Sequence, residues 1–320
     1  MQYFMEQLQL CFNAVAPFFL IMFLGWLAVR LKLVGDKFFT GINKLVFVYF
    51  FPAKIFMNMY RADLGAIFNP ALLFYFLVGT LLLFLLLWVI GSRFLDRFQL
   101  AAFVQVGYRS NYVVLATAII GALMEDALVK AAMMIPFVVS TYATLATVIF
   151  VMLGKEREAS IWRRVLQVAA QIIKTPIVIG AIVGVLFNLV GFSLPIILNS
   201  SIRTMADIAP PAALIGIGGM LSVEKIRRHL RLAVVATMVK NVLAPVFWIV
   251  PAILLGFRGA DLAIISMIGL APTALVSYAT AVEMGGDGDL TASCMALSNG
   301  IAIITIVLGL TTLRTFGLFG

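Results

Sequence analysis

The chain has 320 residues, of which 63% are apolar and 12% charged, with a mean hydropathy of +1.11 and a formal net charge of +9. This composition lies outside the range of soluble globular domains and assigns the chain to a lipid bilayer. Membrane helices of roughly 20 residues with short connectors fill the whole length, which leaves no room for a soluble enzyme domain.

Apolar runs between charged or Gly/Pro-rich breaks predict ten helical spans, at about 8–29, 38–60, 68–91, 98–123, 129–153, 166–190, 195–221, 231–256, 260–282 and 290–312. Their length and continuity predict an all-α bundle, since a barrel would show short alternating strands. The leading MQYFMEQLQL carries an acid and no Lys or Arg before the first run, so a cleaved signal peptide is not expected. Cys11 and Cys294 fall in spans one and ten with no metal or redox spacing and read as packing residues. His229 is the only histidine and lies in the basic loop EKIRRHLR, which removes most histidine catalysis and metal binding.

Odd-numbered loops hold 13 Lys and Arg residues, from Arg30 to Arg231, and the opposite side holds 5 (Arg61, Lys130, Arg203, Arg258 and Arg314). The positive-inside rule then places both termini outside, and it accounts for the positive charge without nucleic acid. At an offset of 159 residues, Pro17 matches Pro176, Gly25 matches Gly184, Lys44 matches Arg203, and Pro52-Ala53 matches Pro211-Ala212. With a shift of seven more, Asn111-Tyr112 falls on Ser277-Tyr278. Two units of five spans, 1–155 and 156–320, must enter the membrane with opposite polarity, the inverted-repeat layout of many secondary transporters.

Span four contains YRSNYVVLA. If Arg109 marked its cytoplasmic edge, the run from Asn111 to Met124 would reach only ~21 Å, short of a ~30 Å hydrocarbon core. If the span starts near Phe98, Arg109 lies ~16 Å deep, beyond easy snorkelling. A helix broken near Ser110-Asn111 resolves both, and its new N-terminus together with Arg109 favours an anion. A tilted or edge-placed helix is the plainer alternative. In span nine, LAPTALVSYATAV, Pro272 removes a helix hydrogen bond and Thr273, Ser277 and Tyr278 offer replacements, although a simple kink is also common.

Among the other charges inside spans, Asp207 follows Arg203 by four residues and reads either as an ion pair or as a proton- or cation-coupling group. Lys240 is an anion contact or a buried paired cation, while Lys54, Lys44 and Lys174 snorkel. GIGG (216–219) and GAIVG (180–184) read as close helix packing, and GDGD (286–289) as a turn.

GINKLVFVYFFPAKIF, YRSNYVVLA, KTPIVIGAIVGVLFNL, IAPPAALIGIGGML, and APTALVSYATA followed by GGDGDLTAS, taken in this order, resemble the auxin efflux carrier family of membrane transporters. Its bacterial members are described as malate or malonate permeases. The resemblance implies a fold similar to the bile-acid sodium symporters: ten spans in two inverted repeats, with unwound spans four and nine crossing at the substrate site. Spans one, two, six and seven would form a scaffold panel, and three to five with eight to ten a moving core. Plant members often have a proline where this chain has Ser277, and a long cytoplasmic loop where it has the short GKEREASIWRRV.

The expected function is alternating-access transport of a small organic anion, such as malate, malonate or an auxin-like acid, across the cytoplasmic (inner) membrane. Arg109, Ser110, Asn111, Tyr112, Lys240, Thr273, Ser277 and Tyr278 are the expected substrate residues, with Asp207 as the ion-coupling candidate. No metal or organic cofactor is expected; proton or sodium coupling and a homodimer stand as options. A cation or proton antiporter using Asp207 is the alternative; an intramembrane enzyme would need a nucleophile, base or metal ligands at depth, and the lack of any histidine in the spans argues against it.

Overall fold

The computed structural model describes residues 2–62, 69–153, 174–220 and 230–318. Over these residues the chain forms helices and turns, with one isolated bridge between Ser110 and Thr273. In chain order the helices are α1 (Gln2–Arg30), α2 (Asp36–Leu45), α3 (Phe51–Tyr60), α4 (Pro70–Gly91), α5 (Arg97–Tyr108), α6 (Thr117–Leu123), α7 (Glu125–Leu153), α8 (Pro176–Val190), α9 (Ile196–Met220), α10 (Leu230–Met238), α11 (Ala244–Leu254), α12 (Gly259–Leu270), α13 (Val276–Glu283) and α14 (Gly288–Thr315). Wider π-type turns at Val46–Phe50, Tyr112–Ala116 and Val239–Leu243 join α2 to α3, lead into α6, and join α10 to α11.

Among the described residues, six helices are long and apolar enough to cross a bilayer: Gln2–Arg30, Lys37–Tyr60, Pro70–Gly91, Glu125–Leu153, Leu230–Leu254 and Gly288–Thr315. Tyr112–Leu123, Pro176–Val190 and Gly259–Leu270 are shorter apolar helices. The basic loops counted for orientation at 154–173 and 221–229, with His229 and the start of the sixth run, lie outside the described residues.

Several helix starts follow from local chemistry. Asn69 accepts from the Ala71 and Leu72 amides ahead of Pro70, and Asp96 accepts from Phe98 and Gln99. Side-chain acceptors at this position satisfy amides that have no partner within the helix, and proline fits the first turn because its missing N–H is not needed there. GDGD, expected as a turn, lies only half outside a helix: Gly288 and Asp289 already belong to α14, which Asp287 caps through the Leu290 amide at 2.9 Å.

Every residue from Leu100 to Tyr108 in α5, and from Leu262 to Leu270 in α12, is buried. Helices covered all round belong to the protein interior, so these two form the centre. α4 instead turns Leu81, Leu82, Leu85 and Leu86 outward. At the entrances to α4, α7 and α12, Asp261 binds Lys130 at 2.6 Å and accepts from the Asn69 side-chain nitrogen at 2.7 Å.

α1 packs along α9, and α3 along α8. A Cβ at Gly218 would strike the Met22 carbonyl and one at Gly25 the Ile215 carbonyl, while Gly180 and Gly184 face the carbonyls of Pro52 and Phe56. GIGG and GAIVG therefore bring backbones close, as small-residue faces do between membrane helices. Gly218→Ala is expected to destabilise the protein by about 1–3 kcal/mol, the cost of overpacking. The measurement is the melting temperature in detergent, and an unchanged melt would mean that α1 and α9 yield at this contact.

α9 also packs on α3, which sets Lys54 within electrostatic reach of Asp207. The pairing expected between Arg203 and Asp207 is not formed: Asp207 is exposed, and the ion pair found among the described residues is Lys130–Asp261. The contact with a neighbouring helix supplies a different cation from the one four residues back along the helix.

Candidate functional site

The interruption expected near Ser110-Asn111 falls at 109–111. α5 ends at Tyr108, Arg109 is extended (φ −86°, ψ 116°), and helical turns resume at Tyr112. In the second interrupted helix, α12 ends at Leu270 and α13 begins at Val276, with Ala271 extended (φ −63°, ψ 136°). Unwound backbone inside an apolar protein must find other partners. Here the two breaks serve one another: the Asn111 amide donates to the Pro272 carbonyl at 2.7 Å, beside the Ser110–Thr273 bridge. Thr273 donates from its hydroxyl to the Val106 carbonyl (3.2 Å) and from its amide to Ser298 (3.2 Å), and its carbonyl accepts from Asn299 (3.3 Å). Ser298 in turn donates to Asn241 at 2.6 Å.

Beside this junction lies a cavity of about 310 Å³ lined by Arg109, Ser110, Asn111 and Tyr112. Asn43, Phe47, Ala213 and Ile217 form part of its wall, as do the opening residues of α8 and α13. Three helical segments thus begin at the cavity, at Tyr112, Pro176 and Val276. The first amides of a helix lie at the positive end of its dipole, which favours negative charge nearby, although at the third start the Ser277 and Tyr278 amides already bond to the Ala274 and Leu275 carbonyls.

Arg109 is 9% exposed, and its Nη1 donates to Thr280 at 3.4 Å. Gln105, with its amide turned to match its neighbours, accepts from Arg109 at 3.2 Å and donates to the Ser277 carbonyl at 3.1 Å. Among the described residues no carboxylate pairs with this guanidinium. Asn111 is 4% exposed, and its side-chain nitrogen has no hydrogen-bond partner. A buried donor without an acceptor is costly, and this one belongs to a residue that lines the cavity. The other two lining hydroxyls of this stretch are engaged: Ser110 with the Tyr142 hydroxyl at 3.0 Å, and Tyr112 with the Ala131 carbonyl at 2.9 Å.

The remaining expected site residues stand apart. Thr273 is fully bonded within the junction, and neither Ser277, which is completely buried, nor Tyr278 lines the cavity. Lys240 is 1% exposed and donates to the Gly269 carbonyl at 3.3 Å, also off the cavity wall. Asp207 is exposed on α9 and does not line the cavity.

A family model described as membrane transport protein matches residues 10–309. The chain belongs to this family, the auxin efflux carriers. An uncharacterized transporter of Methanothermobacter thermautotrophicus is 24% identical over 305 residues, covering 92% of this chain and 96% of the relative. The protein is accordingly an integral membrane transport protein, and family membership together with its apolar helices agree on this.

In this auxin efflux carrier family member, several cavity and junction residues escaped the sequence reading. Gln105 precedes Arg109 by four residues, a spacing that places both on one helix face and was a usable signal. Ser298-Asn299 repeats the Ser-Asn pair of 110–111 inside another apolar run, a second usable signal. Asn43, Tyr142 and Thr175 carried none, because only packing of separate helices brings them to the cavity.

Lys240 and Arg109 occupy comparable positions. Arg109 follows the last residue of α5, and Lys240 reaches the carbonyl end of α12, where helix dipoles favour cations. Since Lys240 does not line the cavity, Lys240→Met is expected to leave anion affinity unchanged. A loss in calorimetric titration as large as that of an Arg109 variant would return the ammonium to the binding site.

Proposed function

We propose that the protein is a secondary carrier of a small organic anion, binding its carboxylate at the junction of the two interrupted helices and working by alternating access. The observation that carries this reading is Arg109: a buried guanidinium with no carboxylate partner among the described residues, beside the free amide nitrogen of Asn111 and the starts of three helical segments. An anion entering there supplies the missing charge and acceptors at once.

The reading includes ten spans in two inverted repeats, 1–155 and 156–320, in the cytoplasmic membrane with both termini outside. Packing supports the exchange between copies: α1 of the first lies on α9 of the second, and α3 of the first on α8 of the second. Spans one, two, six and seven serve as the scaffold, and spans three to five and eight to ten carry the site across. Ser110 and Tyr112 shape the binding wall, while Thr273, Ser277 and Tyr278 hold the second interruption. Lys240 and Arg109 already place two cations in the core, which favours a substrate anion over a co-bound sodium ion at this junction. Among the described residues, the fully or nearly buried charged side chains are basic. A cation antiporter working through Asp207 is correspondingly disfavoured, and Asp207→Asn is expected to transport normally.

Uptake of radiolabelled carboxylates into vesicles containing the purified protein tests the proposal. Saturable carboxylate movement that competing carboxylates inhibit and choline does not is the expected result; movement of cations alone would refute it.

A further inference from the structure

The turn that ends α1 is closed by a lysine in a place that favours glycine. The Lys32 amide donates to the Val29 carbonyl and the Leu33 amide to the Ala28 carbonyl, both at 3.0 Å, and this paired closure needs a left-handed residue at position 32. Glycine usually supplies it. Here Lys32 does so at φ 55°, the one non-glycine residue with positive φ among the described residues. A basic side chain is therefore kept where the backbone favours none. Leu31 and Leu33 on either side are 59% and 71% exposed, and the Arg30 guanidinium lies 5.5 Å from the centre of the Trp26 ring. α1 has 29 residues, or ~43 Å at 1.5 Å per residue, against a hydrocarbon core of ~30 Å. That excess and the Trp26–Arg30 pair put its last turn at headgroup depth, where tryptophan and basic residues gather.

α2 continues the patch. Its buried face carries Phe39 and Asn43, with Asn43 on the cavity wall. The opposite face exposes Lys37, Phe38, Gly41, Lys44 and Leu45, which follow one another as a single stripe of the helix. A Cβ at Gly41 would meet nothing within 4 Å, so the space between the two lysines, ~10 Å apart along the axis, is open. From Arg30 to Lys44 the chain carries four basic residues and one acid, Asp36.

We infer that the α1–α2 turn and the exposed stripe of α2 bind an anionic phospholipid of the surrounding bilayer. Lys32, Lys37 and Lys44 receive the headgroup phosphate, Lys44 by extending toward the interface. Phe38 and Leu45 offer apolar surface to the acyl chains, which selects a lipid over free phosphate. This site goes beyond the transport reading and does not depend on it. Since α2 presents Asn43 to the cavity from its other face, the lipid steadies the helix that forms that wall.

The test uses the full-length protein in detergent, titrated with phosphatidylglycerol, phosphatidylcholine or inorganic phosphate and followed by thermal melting and native mass spectrometry. Phosphatidylglycerol is expected to raise the melting temperature more than phosphatidylcholine, and inorganic phosphate not at all. Each lysine is expected to contribute about fivefold, so Lys37→Gln with Lys44→Gln weakens phosphatidylglycerol binding about 25-fold and removes one retained lipid from the spectrum. Lys32→Gly separates charge from fold. Glycine fits the left-handed turn, so the lipid-free melt is expected at or above wild type while phosphatidylglycerol affinity falls about fivefold. Unchanged affinity and lipid count in the triple variant Lys32→Gly/Lys37→Gln/Lys44→Gln would overturn the inference. So would an equal response to phosphatidylcholine, or a response to phosphate alone. A change of oligomeric state in place of the lipid count would also overturn it and give the stripe to a second copy of the chain.

Discussion

Arg109→Gln is expected to weaken anion binding by about 2–4 kcal/mol, roughly 30- to 1000-fold, the range for removing one partner of a buried hydrogen-bonded charge pair. The guanidinium is 9% exposed and is steadied by Gln105 and Thr280. Without it, a bound carboxylate would retain only helix-start amides and Asn111. Arg109→Lys keeps the charge but loses the planar fork, so it is expected to recover part of the loss. Calorimetric titration of the carboxylate that binds wild type most tightly gives the comparison, and melting in the absence of ligand separates affinity from folding. Wild-type affinity in Arg109→Gln would move the anion site elsewhere.

Asn111→Asp is expected to abolish anion binding while the ligand-free protein becomes no less stable. The side-chain nitrogen without a partner becomes a carboxylate oxygen at the start of the helical stretch 112–123, beside Arg109. Aspartate is favoured at a helix start, by about 0.5–2 kcal/mol over a residue that cannot cap it. In this position it stands in for the substrate's own carboxylate and pairs with the guanidinium. The signature is a melting temperature equal to or above wild type, with loss of the ligand-induced rise. A mutation that merely damaged the fold would lower the melt. Asn111→Ala complements it: the helix start and Arg109 remain, so binding is expected to weaken by about 1–3 kcal/mol without being lost.

These predictions concern residues that sequence reasoning reached in part. YRSNYVVLA announced a break because its polar residues lie too deep for an intact apolar span, and the break occurs at 109–111. Pro272 announced the second for a related reason, since proline lacks the amide that continues a helix. Lys240 and Thr273 were placed in the site because deep polar groups attract functional explanations, yet their partners, Gly269 and the Val106 carbonyl, are protein groups. No sequence spacing predicts a hydrogen bond across 167 residues.

Sequence alone determined the solvent, the helical class and the interrupted stretches, because these depend on hydropathy, span length and local backbone chemistry. It also identified the tight helix faces through GIGG and GAIVG, since closeness there needs only missing side chains. Tertiary structure decided which polar groups face the cavity and which stabilise the protein itself. Arg109 and Asn111 look onto a cavity of about 310 Å³, whereas Lys240 and Thr273 are satisfied inside the core. The reason is that a donor's availability depends on which acceptors other helices bring within about 3 Å of it, and only the packed chain fixes that.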